Sequence, residues 1–201
     1  MTGRAGNTTL VKELREKTGA GILDCQKALV ESGNDIEKAI EHLRQKGLAA
    51  AQKKAGRETN EGTVAAYIHP GSRIGVLVEV NCETDFVARN DQFQAFVKDI
   101  ALQIAASSPS FIKREDIPAP LIEKEKSIYL AQAKEMGRPE SAWAKIVQGK
   151  LEQFFQESCL LEQTFIKDPT ITIKDHAAHA IAKLGENITI RRFTRYQLGQ
   201  E

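Results

Sequence analysis

Between residues 74 and 82 every second side chain is apolar: Ile74, Val76, Val78, Val80 and Cys82. Successive side chains of a strand point to opposite faces, so this run is a strand with one buried face. An earlier run, Val64, Ala66 and Ile68 alternating with Ala65, Tyr67 and His69, leads into it through the turn sequence Pro70-Gly71-Ser72. The two runs form a β-hairpin. On either side of it the apolar spacing is helical, and strands and helices do not alternate regularly. That order calls for an α+β fold, with an antiparallel sheet, rather than a doubly wound α/β one.

Residues 8–47 read as three short helices. Val11 and Leu14 share one face of the first, which Thr8 or Thr9 is positioned to cap. Thr18-Gly19-Ala20-Gly21 breaks that helix. Ile22, Cys25, Ala28 and Leu29 form the next stripe, ended by Gly33, and Asn34 with Glu37 has capping-box spacing for a third helix carrying Ile36, Ala39, Ile40 and Leu43. A core this small is marginal alone, which suits an appended recognition module. Residues 48–55 can prolong the third helix before Gly56 and the Asn60-Glu61-Gly62 stretch break it. The chain is expected to comprise a three-helix domain (residues 1–47), a linker that hinges it (48–62) and an α+β core (63–201).

Beyond the hairpin, Phe93, Phe96, Val97, Ile100 and Ile104 recur at helical spacing until Ser107-Ser108-Pro109. Residues 121–164 are expected to be mostly helical, interrupted at Gly137-Arg138-Pro139. A strand at 170–173, a helix at 174–184 and a last strand at 187–196 follow.

Charge and composition narrow the function. Lys and Arg number 28 against 27 Asp and Glu, a formal net charge of +1, which argues against sequence-blind binding to nucleic acid or anionic membrane. Cys25, Cys82 and Cys159 are odd in number, widely spaced and without a CxxC pair, as in a reduced, intracellular protein. No apolar run approaches the roughly 20 residues of a membrane helix. The start lacks the pattern of a secretion or transit signal, so a cytoplasmic location is expected.

No catalytic constellation stands out. A GxxxxGK[ST] loop is absent, and Gly19-Ala20-Gly21 follows a helix and lacks the third glycine of a dinucleotide fingerprint. His176 and His179, with Asp175, have a spacing that fits a metal on one helix face, but it fits ordinary surface positions better. Cys82 and His69 can be drawn as a nucleophile pair, yet Cys82 is in phase with Val78 and Val80 as a small core residue. Lys53, Lys54 and Arg57, and Arg191, Arg192 and Arg195, are basic clusters. Alternation would set Arg191, Phe193 and Arg195 on one face, suited to RNA, although solvated edge charges account for them more simply. At the strand-to-helix junction of residues 83–90, Phe86 either plugs the end of the core or stands exposed as an anchor for a partner.

Two stretches of this chain carry a resemblance. VKELREKTGAGILDCQKAL (residues 11–29) resembles the N-terminal signature of the translation elongation factor Ts family, and ETDFVARN (83–90) resembles its second signature. GLAAAQKKAGR, GRPESAWAKIVQGKL and CLLEQTFIKDPT continue in the family's order, so the similarity spans about residues 9–199. The resemblance implies a three-helix domain of ubiquitin-associated type that docks on the GTPase domain of elongation factor Tu, through Val11, Leu14, Arg15, Thr18, Gly19, Ala20 and Gly21. It implies a guanine nucleotide exchange factor that makes no covalent change and needs no cofactor or metal of its own. In the family the second signature inserts beside the nucleotide and disturbs the bound Mg²⁺. Here that segment is Thr84, Asp85, Phe86 and Val87, with Phe86 as wedge and Asp85 as its polar partner. Two-lobed members carry a second core subdomain and a coiled-coil insertion, for which 201 residues leave no room. A short form with one core lobe is expected, pairing as a homodimer in a 2:2 complex. Gln26 and Arg89 stand where the family more often has Lys, changes that leave the mechanism intact.

Overall fold

The computed structural model describes residues 3–137 and 139–200, with side chains from residue 8 onward; Arg138 of the expected interruption, and Met1, Thr2 and Glu201, lie outside the described residues. In chain order the elements are α1 (Gly3–Thr18), α2 (Ile22–Glu31), α3 (Ile36–Lys54), β1 (Glu61–Ile68), β2 (Ile74–Cys82), α4 (Asp85–Ala88), α5 (Asp91–Ser107), α6 (Ala119–Glu135), α7 (Glu140–Ser158), β3 (Thr164–Phe165), β4 (Asp168–Thr172), α8 (Ile173–Leu184) and β5 (Ile188–Gln197). The fold is α+β. Its main sheet is antiparallel with strand order β1-β2-β5, and β3 pairs with β4 in a small second ribbon.

The chain divides into two compact units. The first comprises Met1–Thr63, Val80–Phe96 and Asp175–Thr189, and the second Val64–Glu79, Val97–Lys174 and Ile190–Glu201.

In the first unit, α1, α2 and α3 close around Val11, Leu14, Cys25, Ala28, Leu29, Ala39 and Leu43, with Ile36 and Ile40 packed against them. These are the stripes expected from spacing, with one exception. Ile22, the first residue of α2, is 52% exposed, although Cys25 in the same turn is fully buried. The helix ends also differ from expectation. α1 begins at Gly3, so Thr8 and Thr9 lie inside it and neither caps it; the apolar stripe starts only at Leu10 and carries no signal for the earlier turns. α3 is capped by Asp35, whose carboxylate accepts from the Lys38 backbone N–H at 3.1 Å, and not by Asn34. Gly33 and Asn34 both take left-handed backbone angles (φ 63° and 65°), and the Asn34 N–H closes α2 on the Leu29 carbonyl at 2.7 Å. Asn34 is thus consumed in ending one helix, and the cap of the next moves on by one residue. α3 runs on through Lys54, and its Arg44 guanidinium meets the Asp175 carboxylate of α8 at 3.0 Å and 3.2 Å.

In the second unit, Val76 and Val78 of β2 are buried, whereas Val64 and Ile68 of β1 are exposed and Ala65 and Tyr67 half-buried. Alternation separates the two sets without telling which is covered. α6 and α7 form a helical hairpin, and the Arg114 guanidinium lies 4.4 Å from the Phe155 ring centre while pairing with Glu152 and Glu162. Buried Gln103 donates to the Gln163 side chain and to the Thr164 carbonyl, both at 3.2 Å, and accepts from the Ile166 N–H at 3.0 Å. In β5 the alternation of burial changes phase at Arg191 and Arg192, both of which are exposed. Arg191 is thus exposed, whereas Phe193 and Arg195, two and four residues on, are half-buried.

Candidate functional site

Where β2 ends, the chain turns through Glu83 and Thr84 into α4. Thr84 is extended (φ −129°, ψ 155°), a conformation that suits a β-branched residue, and its hydroxyl oxygen caps α4 by accepting from the Val87 N–H at 3.4 Å. Asp85 and Arg89, one turn apart, pair at 3.0 Å. Asn90 then caps the next helix, its side-chain oxygen accepting from the Gln92 N–H at 2.8 Å. Gln94 on that helix reaches back to the Ala88 carbonyl (2.7 Å) and the Thr63 hydroxyl (2.9 Å). A helix of four residues cannot hold itself, so these contacts at both ends keep it in place.

From this fixed turn Phe86 projects with 84% of its surface exposed, while Ala88 is buried and Asp85 and Val87 are half-buried. The sequence left Phe86 open between core plug and exposed anchor; it is exposed. Beside it Glu61, Gly62, Thr63, Asp85, Arg89 and Gln94 line an open cleft of about 460 Å³. Gly62 is required there: at φ +147° an added Cβ would lie 2.2 Å from the Val80 carbonyl oxygen.

Behind the turn stands a set of polar groups that sequence reasoning missed. The Glu186 carboxylate accepts from the N–H groups of Glu83 (3.1 Å) and Thr84 (3.0 Å) and from the Thr84 hydroxyl (2.6 Å). Glu83 in turn accepts from the Asn187 N–H (2.6 Å) and from the Arg57 guanidinium (3.4 Å), and the Asn187 amide donates to the Arg57 carbonyl (2.8 Å). Gly185, left-handed at φ 79°, ends α8 and turns Glu186 and Asn187 toward the junction. The one local hint in the sequence is that glycine followed by two polar residues ahead of a strand.

Cys82 is buried and its thiol donates to the Thr84 carbonyl at 3.2 Å. Burial first, then the negative charge of Glu186, pushes the thiol up to about 11, so it is neutral at physiological pH. His69 donates its backbone N–H to Ile74, at the other end of β2, which removes the Cys82–His69 pairing.

The other candidate region is the α1–α2 turn. Val11 and Leu14 face the bundle core, 7% and 0% exposed. Arg15, Gly19 and Gly21 are exposed, and Thr18 and Ala20 half-buried. Thr18 donates to the Leu14 carbonyl at 2.7 Å, and Gly19, at φ 65°, donates its N–H to Arg15 at 2.8 Å, which together fix the turn. Next to it Ile22 and Leu23 are 52% and 71% exposed, an apolar pair that the sequence reading had assigned to the core or passed over.

The remaining candidates are absorbed by structural roles. Asp175 is 3% exposed and engages Arg44, and His176 packs on Phe96 with ring centres 5.2 Å apart. Among the described residues no group of three or more His, Cys, Asp or Glu is arranged to hold a metal ion, and no helix is long and apolar enough to cross a membrane. Lys53 and Lys54 close the last turn of α3, where cations favour the helix dipole. Arg191 and Arg192 both reach Glu79, and Arg195 donates to the Ala105 carbonyl.

Comparison with known proteins agrees with the two signatures. The family model described as elongation factor TS matches residues 8–200. The chain is 62% identical over 191 residues to elongation factor Ts of Carboxydothermus hydrogenoformans, covering 95% of this chain and 88% of that one. To elongation factor Ts of Geobacter sulfurreducens it is 57% identical over 190 residues, covering 94% and 88%. To elongation factor Ts of Thermoanaerobacter sp. strain X514 it is 60% identical over 190 residues, covering 94% and 93%.

Proposed function

The chain belongs to the elongation factor Ts family, and from that premise we propose that it is a guanine nucleotide exchange factor for elongation factor Tu, acting in the cytoplasm during protein synthesis. The observation that carries the mechanism is the exposure of Phe86 on a turn held at both ends. Thr84, Asp85, Phe86 and Val87 enter beside the nucleotide site of the GTPase domain, and the ring displaces the loop that holds Mg²⁺ and the β-phosphate. The three-helix bundle, of ubiquitin-associated type, docks on the same domain through Arg15 and the Thr18-to-Gly21 turn. The exposed Ile22 and Leu23 extend that contact.

No covalent bond is made or broken; the factor lowers the barrier to GDP release. A ten-thousandfold acceleration asks for about 5.5 kcal/mol. Taking away the cation that neutralises a phosphate, and moving its cradle, is of the right order. The coupling is reciprocal: what weakens GDP is weakened by GDP, and incoming GTP displaces the factor in turn. Direction comes from nucleotide concentrations.

Two copies pair to give a 2:2 complex with elongation factor Tu. This part is supported by the apolar groups that the second unit leaves exposed on its strands: Val64, Ile68, Leu77 and Tyr196. A mass measurement that returns one copy in solution and one of each protein in the complex removes it.

The deciding experiment is release of a fluorescent GDP analogue from elongation factor Tu, with and without the factor, over a Mg²⁺ series. Acceleration that shrinks as Mg²⁺ rises is expected. Binding with no acceleration would reduce the protein to a tether.

A further inference from the structure

We infer that Glu186 is a positioning residue for nucleotide exchange, its carboxylate fixing the Thr84 pivot from which Phe86 is aimed. The inference rests on the exchange reading above. Glu186 lies 102 residues after Thr84 in the chain, yet it is the acceptor for every donor that Thr84 presents. One of its oxygens takes the consecutive N–H groups of Glu83 and Thr84 at 3.1 Å and 3.0 Å. Two backbone donors converging on one atom fix the peptide plane between them. The other oxygen takes the Thr84 hydroxyl proton at 2.6 Å, which fixes the side-chain rotamer.

With that proton committed, the hydroxyl oxygen has a lone pair to offer the Val87 N–H, the contact that caps α4. The order of dependence runs from carboxylate to hydroxyl, from hydroxyl to the first turn of α4, and from that turn to the direction of the Phe86 ring. Glu83, held by Asn187 and Arg57, keeps the strand side of the pivot in register.

The chemistry asks for an acceptor at both positions. A carboxylate supplies two, and its hydrogen bonds are charge-assisted. A glutamine keeps one and turns an amide donor toward the hydroxyl, which then loses its role in the cap or its partner. Thr84 and Phe86 are both exposed, so the three bonds set the direction of a surface segment rather than the packing of a core side chain.

The test is the fluorescent GDP release assay run as a titration of the full chain, so that the plateau rate and the half-saturating concentration are read separately. Glu186→Ala is expected to lower the plateau roughly tenfold or more, as misplacement of a working group by a fraction of an ångström does. Its half-saturating concentration should stay within about threefold, since docking is untouched. Glu186→Gln should recover part of the plateau. A parental plateau for Glu186→Ala, or a loss seen only in the half-saturating concentration, overturns the inference. If Glu186→Ala fails to fold, Glu186→Gln and Thr84→Ala decide: parental plateaus in both overturn the inference, and reduced plateaus with parental half-saturation support it. Phe86→Ala is run alongside. If the parent accelerates release and Phe86→Ala does so equally, the wedge reading falls and the positioning role with it. A negative result at Glu186 with a defective Phe86→Ala removes only the positioning role.

Discussion

The three-helix bundle draws its apolar core from its own stretch of chain. Leu14, Leu29, Cys25 and Ala39 are fully buried, and all come from the stretch that forms the bundle. The turn at Thr84 is held by Arg57, Glu186 and Asn187, groups drawn from before and long after it, through hydrogen bonds rather than apolar contact. Apolar packing is non-directional and yields by degrees when a group is trimmed. A converging set of hydrogen bonds is directional, and losing one partner leaves the others misaligned. The proposed docking surface therefore needs a shape, and the proposed exchange segment needs an aim.

Four changes would break or sharpen this contrast, in decreasing order of expected effect. Leu14→Ala should cost about 3–5 kcal/mol, since a bundle this small cannot close the space left by a fully buried side chain. Amide hydrogen exchange should show protection lost in α1–α3, with the amides of Thr84 and Val87 still protected. Equal loss at both places would mean that the two regions open together and the contrast is false. Gly62→Ala should strike the junction side instead, at about 2–4 kcal/mol by thermal unfolding, because a Cβ at 2.2 Å from the Val80 carbonyl forces the strand ends apart.

Phe86→Ala should leave the melting temperature within about 1 °C, as an exposed side chain contributes little to folding. It should still slow factor-driven GDP release by roughly thirtyfold, about 2 kcal/mol, the scale of an aromatic anchor. The smallest effect concerns pH. Burial pushes both the Cys25 and the Cys82 thiols up, Cys82 to about 11 from an ordinary 9.0. A raised thiol favours the protonated folded state. Its contribution is fully present below pH 9.0 and is lost as the pH rises through about 11, the unfolded chain giving up its proton first. Chemical denaturation across that window should show the decline, and Cys82→Ala should flatten part of it.

The bundle was legible in the sequence because burial on a helix is written locally. Val11 and Leu14, Cys25, Ala28 and Leu29, and Ala39 and Leu43 fall at the spacing of one face, and all are buried. The hairpin was legible for the same reason at period two. The cap of α3 was misread by one residue because Gly33 and Asn34 are both left-handed, a backbone choice that spacing does not reveal. The change in which β5 residues are covered, at Arg191 and Arg192, escaped because alternation separates two faces without telling which is buried. At the junction, the family signature named Thr84 to Val87, but local sequence alone could not tell an exposed Phe86 from a buried one. Glu186 was invisible to both routes. Polar residues carry no period, and its partner lies 102 positions away.

That separation also sets a timetable. A chain emerging from the ribosome at about 5–20 residues per second has the whole bundle available early, and its contacts are short-range ones that form quickly. The support for Thr84 is still unmade at that moment, and Glu186 arrives only 102 residues later. During synthesis every residue of the proposed docking surface is therefore available well before the groups that hold the proposed exchange segment in place.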